Sequence, residues 1–292
     1  MDENVHVTTL GGIEIGWLEN GTGDPMILLH GLAGDDPGTY LPAMHHFGDW
    51  RCVAPWARGH GRSGWADSYL VEDFAGDVVG LIEQVLEGRS TLIVGFSLGS
   101  VVGCYMAVHR PDLVRGLFLE DCGLQLMHDP HRWPNAPYAP FLQAFREART
   151  EMVEQDHGIE WLREVVAEFP YIAPGAKQTL SELFPPEALA IFAEMIAGSD
   201  PAVVDPMLTT PTAQQVAALP VADLAEIRCP TFVVAGDPAL GGAQSADDLA
   251  EFKQLVPQAE VRQLNNVGHE IRSTPESFDV YISELRRFAA LV

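Results

Sequence analysis

Apolar positions in this chain follow two patterns that alternate along it. Short unbroken runs read as strands buried on both faces: Met26-Ile27-Leu28-Leu29, Thr91-Leu92-Ile93-Val94, Gly116-Leu117-Phe118-Leu119 and Thr231-Phe232-Val233-Val234. Between them lie stretches with helical spacing. Phe74, Val78, Leu81, Ile82 and Val85 recur on one face, and Phe278, Ile282, Leu285 and Phe288 do so in a helix that Thr274-Pro275-Glu276 would start. The segment from Val5 to Leu18 alternates instead and turns at Gly11-Gly12, which predicts an antiparallel hairpin at a sheet edge. Strands interleaved with helices predict βαβ units and a mostly parallel sheet. From about Leu124 to about Leu219 the strand-like runs stop. Helical, aromatic and proline-rich sequence takes their place, including Trp133-Pro134, Tyr138, Phe141, Phe145 and Trp161, and the strand pattern resumes after Pro230. The economical division is a core formed by residues 1–123 and 220–292, with residues 124–219 inserted as a helical cap.

Charge changes the picture more than composition does. At 47% hydrophobic and 20% charged residues, the 292-residue chain has the composition of a folded domain. With 17 Lys and Arg against 41 Asp and Glu, its formal net charge is −24. A surface this acidic repels phosphate backbones and anionic headgroups, which argues against nucleic acid and membrane surfaces as partners. No apolar stretch approaches the ~20 residues of a membrane span, and Met1-Asp2-Glu3-Asn4 lacks the basic and apolar regions of a signal peptide. The expectation is a soluble, cytoplasmic protein. Cys52, Cys104, Cys122 and Cys229 have neither CxxC pairing nor zinc-like spacing and read as small hydrophobes in a reducing compartment.

Three segments carry candidate chemistry. Gly95-Phe96-Ser97-Leu98-Gly99 directly follows the strand at Thr91 and precedes a helical run from Val101 to Val108. A bare GxSxG is weak, but a sharp strand-to-helix turn would hold the Ser97 hydroxyl exposed above the sheet. His30-Gly31-Leu32-Ala33-Gly34 follows the strand at Met26. Asn265-Asn266-Val267-Gly268-His269-Glu270 follows the final strand, Glu260 to Leu264, and precedes the last helix. A histidine on such a loop can reach a serine and take its proton. Among ten histidines, His269 is singled out by that position.

On these residues, together with Arg58-Gly59-His60-Gly61-Arg62-Ser63, the chain resembles the α/β-hydrolase superfamily over nearly all of its length outside the cap. The resemblance implies an α/β fold, with an eight-stranded, mostly parallel sheet and a helical lid inserted after the sixth strand. It also implies cofactor-free hydrolysis, with Ser97 as nucleophile and His269 as general base. The backbone N–H groups of Leu32 and Leu98 would form the oxyanion hole. Where many relatives carry Asp, this chain has Trp56, which is expected near the pocket rim. The triad acid is expected at Asp237, just after the strand at Thr231. The relatives' Gly-x-x-Asp spacing would instead fall on Ala239, so Asp121 stands as the alternative acid, with Glu120 and Asp247 behind it.

The expected activity is cleavage of an ester or lactone through an acyl-enzyme. No metal site is expected, since no group of residues has ligand spacing. The partner would be a small-molecule ester or lactone that is neutral and largely apolar. Arg132, Arg146, Arg149, Arg163 and Lys177 are the only basic residues of the cap, and most are expected on its surface. Carbon–carbon bond hydrolysis of diketones, perhydrolase-like chemistry and a non-catalytic binding role of the same fold are the alternatives. Oligomeric state stays open, a homodimer included.

Overall fold

The computed structural model describes residues 5–33, 35–129, 131–208 and 213–292. Its centre is one eight-stranded sheet: β1 (Val5–Leu10), β2 (Ile13–Asn20), β3 (Asp24–Leu29), β4 (Trp50–Pro55), β5 (Thr91–Phe96), β6 (Val114–Glu120), β7 (Thr231–Ala235) and β8 (Glu260–Gln263). The order across the sheet is β1-β2-β4-β3-β5-β6-β7-β8. The β1–β2 and β2–β4 pairings are antiparallel, and every other pairing is parallel. The hairpin and the four apolar strands lie where the pattern predicts them. β4 escapes that pattern because its apolar run, Cys52-Val53-Ala54, is only three residues long.

Ten α-helices complete the described structure: α1 (Leu41–Met44), α2 (Val71–Gln84), α3 (Leu98–His109), α4 (Leu124–His128), α5 (Tyr138–Glu154), α6 (Ile159–Ala167), α7 (Pro186–Ala197), α8 (Ala213–Ala218), α9 (Ala246–Leu255) and α10 (Pro275–Ala289). Side chains alternate across a strand, so β3 divides its residues between two cores. Ile27 and Leu29 pack with Phe74 and Leu81 of α2 and with Val101 of α3. Met26 and Leu28 pack with Met44 of α1 and with Tyr281 and Leu285 of α10. Covering both faces is what makes unbroken apolar strands stable here.

Between β6 and β7 the described residues form helices and turns, with one isolated bridge, Pro170–Thr179, as the sole extended pairing among them. None of the described helices is long and apolar enough to cross a membrane. Cys52, Cys104 and Cys122 are buried, Cys229 is half-buried, and none forms a disulfide. The carboxyl ends of β3, β5, β6, β7 and β8 face one end of the sheet. Open α/β sheets bind their ligands at that end.

Candidate active site

Backbone packing fixes the turn at Ser97. A Cβ on Gly95 would run into the Gly99 carbonyl, and one on Gly99 into that of Leu29, so the turn closes only with glycine at both positions. Ser97 itself sits at φ 50° and ψ −112°, a strained conformation for a residue with a side chain. Its N–H donates to Glu120 O at 3.0 Å. One turn on, Ser100 Oγ donates to Gly95 O at 2.7 Å and Glu120 O at 3.0 Å. The neighbouring strand thus holds the elbow while the Ser97 side chain stays half-buried at the wall of a cavity.

His269 lines the same cavity, and its Nδ1 lies 2.6 Å from Asp121 Oδ2. The Asp121 carboxylate is wholly buried, whereas the His269 side chain is 15% exposed. The carboxylate also accepts N–H bonds from Gly236 at 3.1 Å and Ala243 at 2.7 Å. A carboxylate with three donors is well satisfied out of water. Nδ1–H therefore points at Asp121, and Nε2 is the nitrogen left to face the cavity.

This geometry sets Asp121, the alternative acid, against His269 in the place expected for Asp237. Asp237 does not meet His269. Its Oδ1 accepts from Ala239 N at 2.9 Å and its Oδ2 from Asn266 N at 3.3 Å, so it caps its own turn and ties it to the loop carrying His269. The reason lies in the register of the sheet. Glu120 of β6 pairs with Val234 of β7, so both strands end level beneath the histidine. Asp121, at φ 46°, turns its carboxylate across that seam. The β7 loop is packed against the histidine loop instead: a Cβ on Gly236 would strike the Gly268 carbonyl. Glu120 turns away to Arg272, and Asp247 is exposed in the first turn of α9.

Leu32 and Leu98 both line the cavity. Leu98 is the first residue of α3, where a backbone N–H has no carbonyl a turn earlier to bond. The loop bearing Leu32 is held by histidines. His30 Nε2 accepts from Ala57 N at 2.9 Å, and His60 Nε2 accepts from Ala33 N at 3.3 Å. Ala33 adopts φ 53°, so the loop needs such a brace. Gly34, the last residue of that motif, lies outside the described residues. Trp56 is not at the rim. It is 6% exposed and donates from Nε1 to Asp36 Oδ2 at 2.5 Å, beneath the loop.

His60 carries a pH signature. Burial pushes its pKa from 6.5 down to about 3, so it is neutral when folded and protonates in the unfolded chain below about 6.5. Stability is then present above pH 6.5 and lost as pH falls from there towards 3. At pH 5 the loss attributable to this group is about 2 kcal/mol. His60→Gln keeps an acceptor for Ala33 N–H but does not titrate. Urea denaturation at pH 7 and pH 5 should show a smaller decrease for the variant than for the wild type, and equal decreases would refute the assignment.

The cavity measures about 520 Å³ and is mostly apolar, with Val101, Met127, Trp133, Phe141, Leu189 and Phe192 among its walls. Its charged lining residues are Asp35 and Glu270, and no Lys or Arg is among the described residues that line it. The basic residues between β6 and β7 are placed elsewhere. Arg132 pairs with Asp248, Arg146 with Asp205, and Arg163 with Glu160 and Glu194. Lys177 is exposed, and Arg149 is the one of the five that is buried, donating to Ser199 O at 2.8 Å. Sequence reasoning missed two aromatic neighbours of His269. Phe96, the variable residue before Ser97, lies 4.6 Å from its ring, and Tyr138 lies 5.0 Å away edge-on. Tyr138 also donates its hydroxyl to Gly241 O. Phe96 was open to detection from its place in the GxSxG turn, but Tyr138, 131 residues before the histidine, left no local signal.

Comparison with known proteins bears on the family and the fold. The model of the alpha/beta hydrolase family matches residues 26–279. The 2-(acetamidomethylene)succinate hydrolase of Mesorhizobium japonicum is 32% identical over 114 residues, covering 38% of this chain and 40% of that protein. The chain thus spans less than half the length of the curated relatives it matches. The enol-lactonase of Burkholderia xenovorans superposes with a TM-score of 0.70 at 20% identity, covering 98% of this chain and all of the other. An epoxide hydrolase of Vigna radiata gives 0.73 at 18% identity, covering 100% and 99%. At these identities the structures speak for the fold alone.

Proposed function

We infer, since the chain belongs to the alpha/beta hydrolase family, that it is a serine hydrolase cleaving neutral, largely apolar esters or lactones. The observation that carries this reading is the 2.6 Å contact between His269 Nδ1 and Asp121, with Ser97 on the wall of the same cavity. In the proposed mechanism His269 Nε2 removes the Ser97 proton as Oγ attacks the carbonyl, and Asp121 stabilises the imidazolium that forms. The N–H groups of Leu32 and Leu98 receive the oxyanion, each contributing about 3–4 kcal/mol to the transition state. His269 returns the proton to the leaving alkoxide, and water, activated by the same ring, releases the acid. A lactone follows the same course, its alkoxide staying tethered to the acyl group.

The lining supports neutral substrates. An anionic group would enter apolar walls with two carboxyl side chains and no cation among the described lining residues, at a desolvation cost that nothing offsets. Each methylene buried there adds up to ~0.8 kcal/mol. The same lack of a cation disfavours the diketone hydrolases' type of substrate. The test has two parts. A fluorophosphonate probe should label the wild type and not Ser97→Ala. Specificity constants across neutral p-nitrophenyl esters and lactones should then exceed those of matched dicarboxylate half-esters by at least tenfold. Unlabelled wild type would end the serine-hydrolase reading, and higher values for the anionic series would end the substrate reading.

A further inference from the structure

The loops bearing Leu32, Asp121 and His269 are joined beneath the cavity by one side chain outside it. Arg272 lies three residues after His269 and is 3% exposed. Its backbone N–H donates to Glu120 Oε1 at 2.8 Å, and its guanidinium reaches Glu120 Oε2 at 3.4 Å. Glu120 immediately precedes Asp121. The guanidinium's other arm donates to Asp35 Oδ2 at 2.7 Å and Thr39 Oγ1 at 3.0 Å. Asp35 Oδ2 in turn accepts the N–H of Gly31 at 2.7 Å, the residue before Leu32. The ring of Phe96, the residue before Ser97, lies 4.0 Å from the guanidinium carbon, and that of Tyr40 lies 4.6 Å from it. Phe96 also packs against His269.

We propose that Arg272 is a positioning residue that holds the oxyanion loop, the acid and the base in one register through Asp35 and Glu120. The inference rests on the hydrolase reading above. A buried ion network of this kind adds little stability over apolar packing of equal volume, because desolvation offsets the Coulomb gain. What it does add is direction. A planar fork can satisfy two carboxylates at set angles, which a lysine ammonium cannot. A displacement of about 1 Å between reacting groups costs on the order of 100-fold in rate, so a shared anchor acts on turnover more than on binding. Arg272 does not line the cavity and so does not touch substrate.

The test compares wild type, Arg272→Lys, Asp35→Asn and their double variant. Asp35→Asn retains an oxygen for Gly31 N–H but withdraws the charge from Arg272, so it decides the matter if Arg272→Lys does not fold. On the best neutral ester, with folding checked by circular dichroism at the assay temperature, each single variant should lose roughly 10–100-fold in kcat with KM within about threefold. The double variant should lose no more than the worse single one, since both cut one link. Folded variants with wild-type kcat, or additive losses, or a change in KM alone, would overturn the proposal. A second readout does not depend on turnover. The low-field proton resonance of the His269 Nδ1–H, assigned by its absence in Asp121→Asn, should shift or broaden in both single variants. An unchanged resonance would overturn the proposal even if no hydrolysable ester were found, whereas failure of the wild type to react with fluorophosphonate would strike the hydrolase reading alone.

Discussion

Ser97→Ala should fold with an unchanged melting curve and lose about 10⁴- to 10⁶-fold in kcat on whichever ester the wild type prefers. Removing a triad nucleophile elsewhere costs about 10⁶ in turnover, and what remains over water comes from the oxyanion hole and binding. The fold should be indifferent to the change. The backbone closure at Gly95 and Gly99 sets the turn, and Ser97 contributes to it through its N–H bond to Glu120 O rather than through its hydroxyl. Its φ of 50° will be as strained for alanine as for serine. KM should move little. A variant retaining more than a few per cent of wild-type turnover would place the nucleophile elsewhere.

Asp121→Asn should lose about 10⁴-fold in kcat, whereas Asp237→Asn should stay within about threefold of the wild type. The first change puts an amide where the imidazole Nδ1–H needs an acceptor. If the amide NH₂ turns towards the ring it favours the wrong tautomer, leaving Nε2 protonated and unable to take the serine's proton. Gly236 and Ala243 donate to the same carboxylate, so the variant must also satisfy those N–H groups. The second change leaves an oxygen that can still cap the turn at Ala239, since Asn caps nearly as well as Asp. Steady-state kinetics on the two purified variants decides between the acids. The opposite order of losses would return the role to Asp237.

The sheet was legible because burial on both faces leaves a trace in the residues themselves. Runs such as Met26–Leu29 and Phe232–Val234 have no polar member, and the glycines around Ser97 mark a turn no other residue could make. Which carboxylate meets His269 was not legible, for an equally physical reason. Asp121 and Asp237 each follow a buried strand, and adjacent parallel strands end side by side, so local sequence cannot tell which carboxylate lies under the histidine. That depends on the φ of one residue and on how tightly two loops pack. Arg272 and Asp35 stand 237 positions apart, each unremarkable alone, and their pairing exists only once the sheet has formed. Trp56 was misplaced because its position in the motif spoke of the pocket, whereas its indole N–H found Asp36 below the loop.

Tyr138 has a consequence for timing. The first residue of α5, it bonds the Gly241 carbonyl through its hydroxyl while its ring edge covers His269. Any swing of α5 away from the sheet breaks that bond and wets the imidazole in the same movement. A movement of α5 would thus change that bond and the cover of the imidazole together, leaving Phe96 of β5 as the ring that stays against His269.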